Sequence, residues 1–133
     1  GKGHIVANVG LASGEVPYTV YLVSQTMLEE NSDFVKRFLR AVYRAQIWIQ
    51  TASDEEVAMA MEPFFPDASL DSLKIVANSY RETDSWKQDP VMQEADYNRL
   101  LDIIQEAGEL SARPDFQTLV DNRIAEQVVA EAD

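Results

Sequence analysis

The sequence has no cysteine, a single histidine (His4), only five glycines and five prolines, and about half as many basic as acidic side chains. Each shortage closes a class of chemistry. Without Cys there is no disulfide framework, no zinc knuckle and no catalytic thiol, which suits an exported chain as well as a cytosolic one. Eleven Lys and Arg against 23 Asp and Glu give a net charge of −12, the wrong sign for DNA, RNA or an anionic membrane surface, all of which are bound by concentrated cations. No Gly-rich loop precedes a helix in the manner of a phosphate cradle, and no Ser lies in a nucleophile-elbow pattern. No apolar run approaches the roughly 20 residues that cross a bilayer, so an integral membrane protein is not expected. Repeats and low-complexity stretches are absent as well.

What remains is ordinary globular material: 133 residues, 46% apolar and 26% charged. This amounts to one modest domain or part of one, able to bury a core without disulfides or metal. The sequence starts at Gly1 with no charged-then-apolar leader, and the expectation is that an upstream segment has been cut away. Acidity is concentrated late. Residues 1–50 hold five basic and four acidic side chains, and residues 51–133 hold six and nineteen.

Two periods divide the chain. His4–Val9 and Pro17–Ser24 are rich in Val, Ile and Tyr and flank the turn-forming run Ala12-Ser13-Gly14-Glu15, which predicts two strands joined by a loop. Tyr18, Val20 and Leu22 would share one face with Thr19, Tyr21 and Val23 on the other. Both faces are largely apolar, the pattern of a strand covered on two sides. From Ser24 onward the spacing is helical. A short helix is predicted near Gln25–Glu30, then a long one over Asp33–Gln50 with Phe34, Phe38, Val42, Ala45 and Ile49 as its apolar stripe and Phe38 among the most buried residues. Ser53 and Glu56 form a capping box for a helix ending at Met61 before Pro63, and Phe64 and Phe65 are expected to plug an apolar gap. Ser69 caps a helix to about Arg81. Asp89 and Pro90 are read as the N-cap and first position of a fifth helix stopped by Gly108, and a last helix runs over about Phe116–Ala130. The expected organisation is a strand-loop-strand segment over residues 1–24 and a helical part over 25–133, an α/β arrangement with about two strands and six helices.

Candidate sites are few. His4 has no Cys or Asp at a ligand or triad spacing and reads as structural. Asp54-Glu55-Glu56 invites a divalent cation, but acidic residues in a first helical turn are explained by the dipole. Lys36, Arg40 and Arg44, with Arg37 beside them, form a basic stripe that is either a solvated face or a dock for an acidic partner protein. The loop Ser13-Gly14-Glu15-Val16-Pro17-Tyr18 mixes a hydroxyl, a flexible Gly, a carboxylate and a ring, as ligand-orienting loops do, although Tyr18 serves equally as a core residue. Trp86, between Asp84-Ser85 and Lys87, is either a second ligand contact or a lid over the helices. Nothing points to catalysis, a metal or a cofactor.

Read in order, Gly14-Glu15-Val16-Pro17-Tyr18-Thr19-Val20-Tyr21, Glu29-Glu30-Asn31-Ser32-Asp33-Phe34-Val35 and Phe38-Leu39-Arg40-Ala41, followed by Asp84-Ser85-Trp86-Lys87-Gln88-Asp89-Pro90, Ala107-Gly108-Glu109-Leu110 and Leu119-Val120-Asp121-Asn122, carry a likeness. The chain resembles the C-terminal part of substrate-binding proteins of ABC importers for nitrate, alkanesulfonates and thiamine-precursor pyrimidines. The resemblance implies a fragment of a two-lobed type II periplasmic-binding-protein fold that closes on a small ligand and hands it to a permease without covalent chemistry. It also implies a periplasmic or extracellular location, with the full-length protein free or lipid-anchored. Joined to the loop chemistry, it puts Glu15, Tyr18 and Thr19 at the ligand, with Trp86 nearby. The alternative is a free-standing acidic helical domain that docks a protein through residues 36–44.

Overall fold

Several helices begin where the chain supplies its own caps. In the computed structural model, which describes residue 4 and residues 6–132, the elements are α1 (Val9–Ser13), α2 (Gln25–Glu30), α3 (Ser32–Thr51), α4 (Asp54–Met61), a 3₁₀ turn (Glu62–Phe64), α5 (Leu70–Glu82), α6 (Glu94–Glu106), α7 (Phe116–Leu119) and α8 (Arg123–Ala130). Ser24, Ser53 and Ser69 accept from the Met27, Glu56 and Ser72 amides and so satisfy donors that a first turn leaves orphaned. The Ser53–Glu56 capping box is complete in both directions. Gly108, at φ 77°, closes α6 by donating to the Gln105 carbonyl, and Glu109 donates back to Ile104.

The α/β expectation is overturned: among the described residues there is no strand. Instead of pairing, residues 9–13 coil into α1, capped by the Asn8 side chain and ended at Gly14 with φ 75°. The Pro17–Ser24 stretch is irregular, with a bend at Thr19 and no strand partner. β-propensity describes fitness for a covered, pleated surface, and these side chains have no neighbouring strand to make that surface. Part of the first predicted strand, at residue 5, lies outside the described residues.

Four further expectations change. The fifth helix does not start at Asp89 and Pro90. The Asn122 side-chain amide accepts from the Met92 amide and donates to its carbonyl, taking up both main-chain groups of that residue, so α6 starts only at Glu94. Asp89 caps the Val91 amide within that turn. The last predicted helix breaks in two at Val120–Asn122, because Asn122 is committed to Met92 and Asp121 holds Arg123 through its amide and guanidinium. Phe38 is 39% exposed rather than buried, and Val35 is the buried side chain of α3. Phe64 and Phe65 plug nothing, since both are exposed.

The core follows α4 and α5, which pack together, while α8 lies against α3. Ala52, Val57 and Ala77 are buried with Ile49, Met61 and Trp86 partly buried around them. Arg81 locks this corner. Its guanidinium donates to the Ile49 and Ala52 carbonyls at 3.0 and 2.8 Å, satisfying the C-terminal end of α3, and reaches Asp54 at 3.1 Å. Packing near the Trp86 ring, 5.9 Å from its centre, it fixes where the loop after α5 leaves the core.

Candidate functional site

That loop, residues 84–93, forms one side of a groove of about 260 Å³ whose other side is Glu15. Trp86 stands on a corner that Arg81 and Tyr80 hold, with the Tyr80 ring 5.6 Å away. Asp84, in the left-handed region at φ 49°, turns the chain so that the next residues face the groove. Gln46 reaches over from α3 to donate to the Asp89 carbonyl at 3.1 Å. The loop is therefore tied to the helices at Trp86 and Asp89.

Glu15 arrives from far away in sequence and is gripped twice. Arg99 on α6 donates to the Glu15 main-chain carbonyl at 2.6 Å, and Lys87 makes an ion pair with its carboxylate. Gly14 makes the approach possible, because a Cβ there would lie 3.3 Å from the Arg99 Nε and would need φ +75°. Behind both cations sits Asp96, the buried charged residue among those described. Its two oxygens meet Lys87 at 3.2 Å and Arg99 at 3.3 Å. Burial pulls the Lys87 ammonium down, but its bonds to Glu15 and Asp96 outweigh this and leave it above the usual lysine range. Lys87 is thus a firmly charged, doubly paired ammonium.

The groove brings together Glu15 and Trp86. Tyr18 and Thr19 do not line it; Tyr18 is 98% exposed and Thr19 is exposed beside it. Lys87, read in the sequence only as a flank of Trp86, and Asp89, read there as a helix N-cap, line the groove, and Asp96 and Arg99 stand behind them. Their spacing of three on a helix marks a possible pair, but nothing local announces a partner at Glu15. His4 is exposed. Asp54, Glu55 and Glu56 are each occupied, by Arg81, Lys74 and the Ser53 cap. Among the described residues no three metal-binding side chains converge. The basic stripe is partly spent as well, because Lys36 at 2.5 Å and Arg40 both hold Glu131 beyond α8. A second, larger hollow of about 370 Å³ lies between α6 and α7, but it contains none of the candidate residues, and its Arg113 is already engaged with Asp102, Gln105 and the Asn98 carbonyl.

Against known proteins the chain has a curated relative. It is 35% identical over 131 residues, 98% of its length, to "Putative binding protein YtlA" of Bacillus subtilis (strain 168). The matched span is 39% of that protein, so the chain covers about two-fifths of its relative. No protein-family model matches the chain, and no solved structure matches it. Similarity to a protein named for binding gives this chain a binding-protein relative. Among the described residues no helix is long and apolar enough to cross a membrane.

Proposed function

We propose that this chain is the C-terminal, helical portion of an extracytoplasmic solute-binding protein, which captures a small ligand and delivers it to an ABC permease with no covalent step. The observation that carries the reading is the groove between Glu15 and the Trp86 loop. Two residues 71 positions apart, both singled out as ligand contacts, face one hollow of about 260 Å³, a size suited to a small solute. The relative named as a binding protein supports it, as does the ordered likeness to importer receptors. Lobe closure would then be the working motion, with the ligand sealed against residues outside this span.

Among sulfonates, nitrate and pyrimidine-like amines, the groove favours the amine. Three carboxylates, Glu15, Asp84 and Asp89, line it against the single ammonium of Lys87, which Glu15 and Asp96 already neutralise. An anion would meet uncompensated negative charge there, while the N–H groups of an aminopyrimidine gain hydrogen bonds to carboxylates. The indole of Trp86 adds a flat surface for a ring. The test is a thermal-shift screen of the intact protein against ethanesulfonate, nitrate and aminopyrimidines, followed by calorimetry. The expected result is stabilisation by aminopyrimidines that Glu15→Gln weakens. Stabilisation by the anions alone, unaffected by Glu15→Gln, would remove the ligand from this groove.

A further inference from the structure

We propose that Asp96 is the positioning residue of the groove, a single carboxylate that sets the place of Glu15 through both cations that hold it. The inference rests on the groove reading above for its consequence, but its geometry stands apart from any ligand. The four groups form a closed ring. Asp96 bonds Lys87 and Arg99, Lys87 bonds the Glu15 carboxylate, and Arg99 bonds the Glu15 carbonyl. Exposure within the ring is uneven. The Asp96 side chain is 12% exposed, whereas those of Lys87, Arg99 and Glu15 are 50%, 41% and 54% exposed.

Exposed ion pairs exchange readily with water and fix little by themselves. A buried carboxylate in the first turn of α6 is different, because the helix orients it and its low exposure strengthens its hold on both cations. Lys87 and Arg99 have flexible stems that solvent alone would leave spread over many rotamers. Asp96 selects the rotamers that point at Glu15. Residues 6–24 have few other attachments. Beyond Glu15, the Tyr21 ring meets Phe38 edge-on at 4.9 Å, and large side chains along the rest of the segment are exposed. The polar attachments of the segment to α6 and its neighbouring loop are therefore gathered at Glu15, and that pin depends on Asp96.

The absence of cysteine makes the test clean. Spin labels at Ala12→Cys and Glu106→Cys, both exposed, report the separation of α1 from α6 by pulsed electron resonance in the full chain. A second pair at Asp71→Cys and Glu126→Cys reports the helical body. Asp96→Asn should widen the first distribution about twofold or more and leave the second unchanged, as local release predicts. Asp96→Glu, which keeps the charge, should stay close to the parent. Lys87→Met with Arg99→Met should reproduce the release, and Asp96→Asn on top should add nothing further; if Asp96→Asn fails to fold, Asp96→Ser with the same label pairs decides the question. An unchanged first distribution, equal widening of both pairs, or release by Asp96→Glu as large as by Asn would each overturn the proposal. Because no ligand is used, loss of ligand binding with an intact pin would count against the function alone.

Discussion

Residues 6–24 and the helical body from residue 25 draw on the same apolar alphabet and treat it in opposite ways. In the body, Val57, Ala58, Leu73, Ala77, Ala125 and Val128 disappear into the contacts of α4 with α5 and α3 with α8. In the leading segment, Val6, Val9, Leu11, Tyr18, Tyr21 and Leu22 face solvent. The difference lies in where each segment finds its partner. A helix satisfies its backbone within itself and then needs only one face covered, so four or five helices suffice to cover each other. An extended segment must borrow both its hydrogen bonds and its covering from elsewhere. Among the described residues it borrows the grip on Glu15, one ring contact at Tyr21 and partial cover at Val16 and Pro17.

The sharpest way to break that contrast is to truncate one leucine from each region. Leu73, 3% exposed between α4 and α5, should lose about 2–5 kcal/mol on replacement by Ala. Leu22→Ala should cost less than about 0.5 kcal/mol in this chain, as surface changes do. Urea unfolding of the two variants measures both; equal losses would mean that the leading segment is packed in solution. A step smaller is Arg81→Met, which strips the Ile49 and Ala52 carbonyls of their donor at the end of α3. Partly solvated, the site should lose about 1–3 kcal/mol, the usual cost of stranding such acceptors. Retention of full stability would show that water replaces the guanidinium there.

The sequence was legible where structure is local. Ser53–Glu56, Ser69 and Gly108 announce helix ends because a cap is written within four residues of the groups it satisfies. Where a distant side chain intervenes, the local signal misleads. Asp89-Pro90 looks like a helix start, yet Asn122, 30 residues beyond Met92, spends the backbone that would have begun it. The strand signal at Pro17–Ser24 records the character of the side chains and not the presence of a partner. Of the site, Glu15 and Trp86 were readable as a carboxylate and a ring in loops. Arg99 and Asp96 were not, since their role exists only once Gly14 brings the chain against α6.

Electrostatics gives two finer tests. For an amine ligand of the intact protein, Glu15→Gln should weaken binding about tenfold, or about 1.4 kcal/mol, with unchanged thermal stability. Equal affinities in calorimetry would take Glu15 out of the site. At the other end of the chain, hydrogen bonds from Lys36 and then Arg40 hold the Glu131 carboxyl below the usual carboxylate range. Folding thus disfavours its protonation, so its contribution is fully present above the ordinary glutamate range and is lost as pH falls through the lowered value. The Glu131→Gln variant and the parent should therefore differ in thermal midpoint near neutral pH and converge in acid. A gap that persists below the carboxylate range would assign the difference to packing of α8.

The smallest effect is expected at Tyr18, and it sharpens the contrast most. With its side chain 98% exposed, Tyr18→Ala removes no buried area from residues 1–133 and should change their stability by less than about 0.5 kcal/mol. If the chain is part of a longer protein, like the relative of which it matches 39%, the same ring has somewhere else to go. A covered tyrosine contributes roughly 150–250 Å² of contact. The substitution should then destabilise the long form by clearly more than it destabilises this chain, and chemical denaturation of both forms with and without it makes the comparison. A difference would show that the apolar face of residues 6–24 is completed by chain beyond this span. Equal, near-zero effects would instead leave Tyr18 a solvent-facing residue in both, and the contrast between the two regions would be a property of the protein itself.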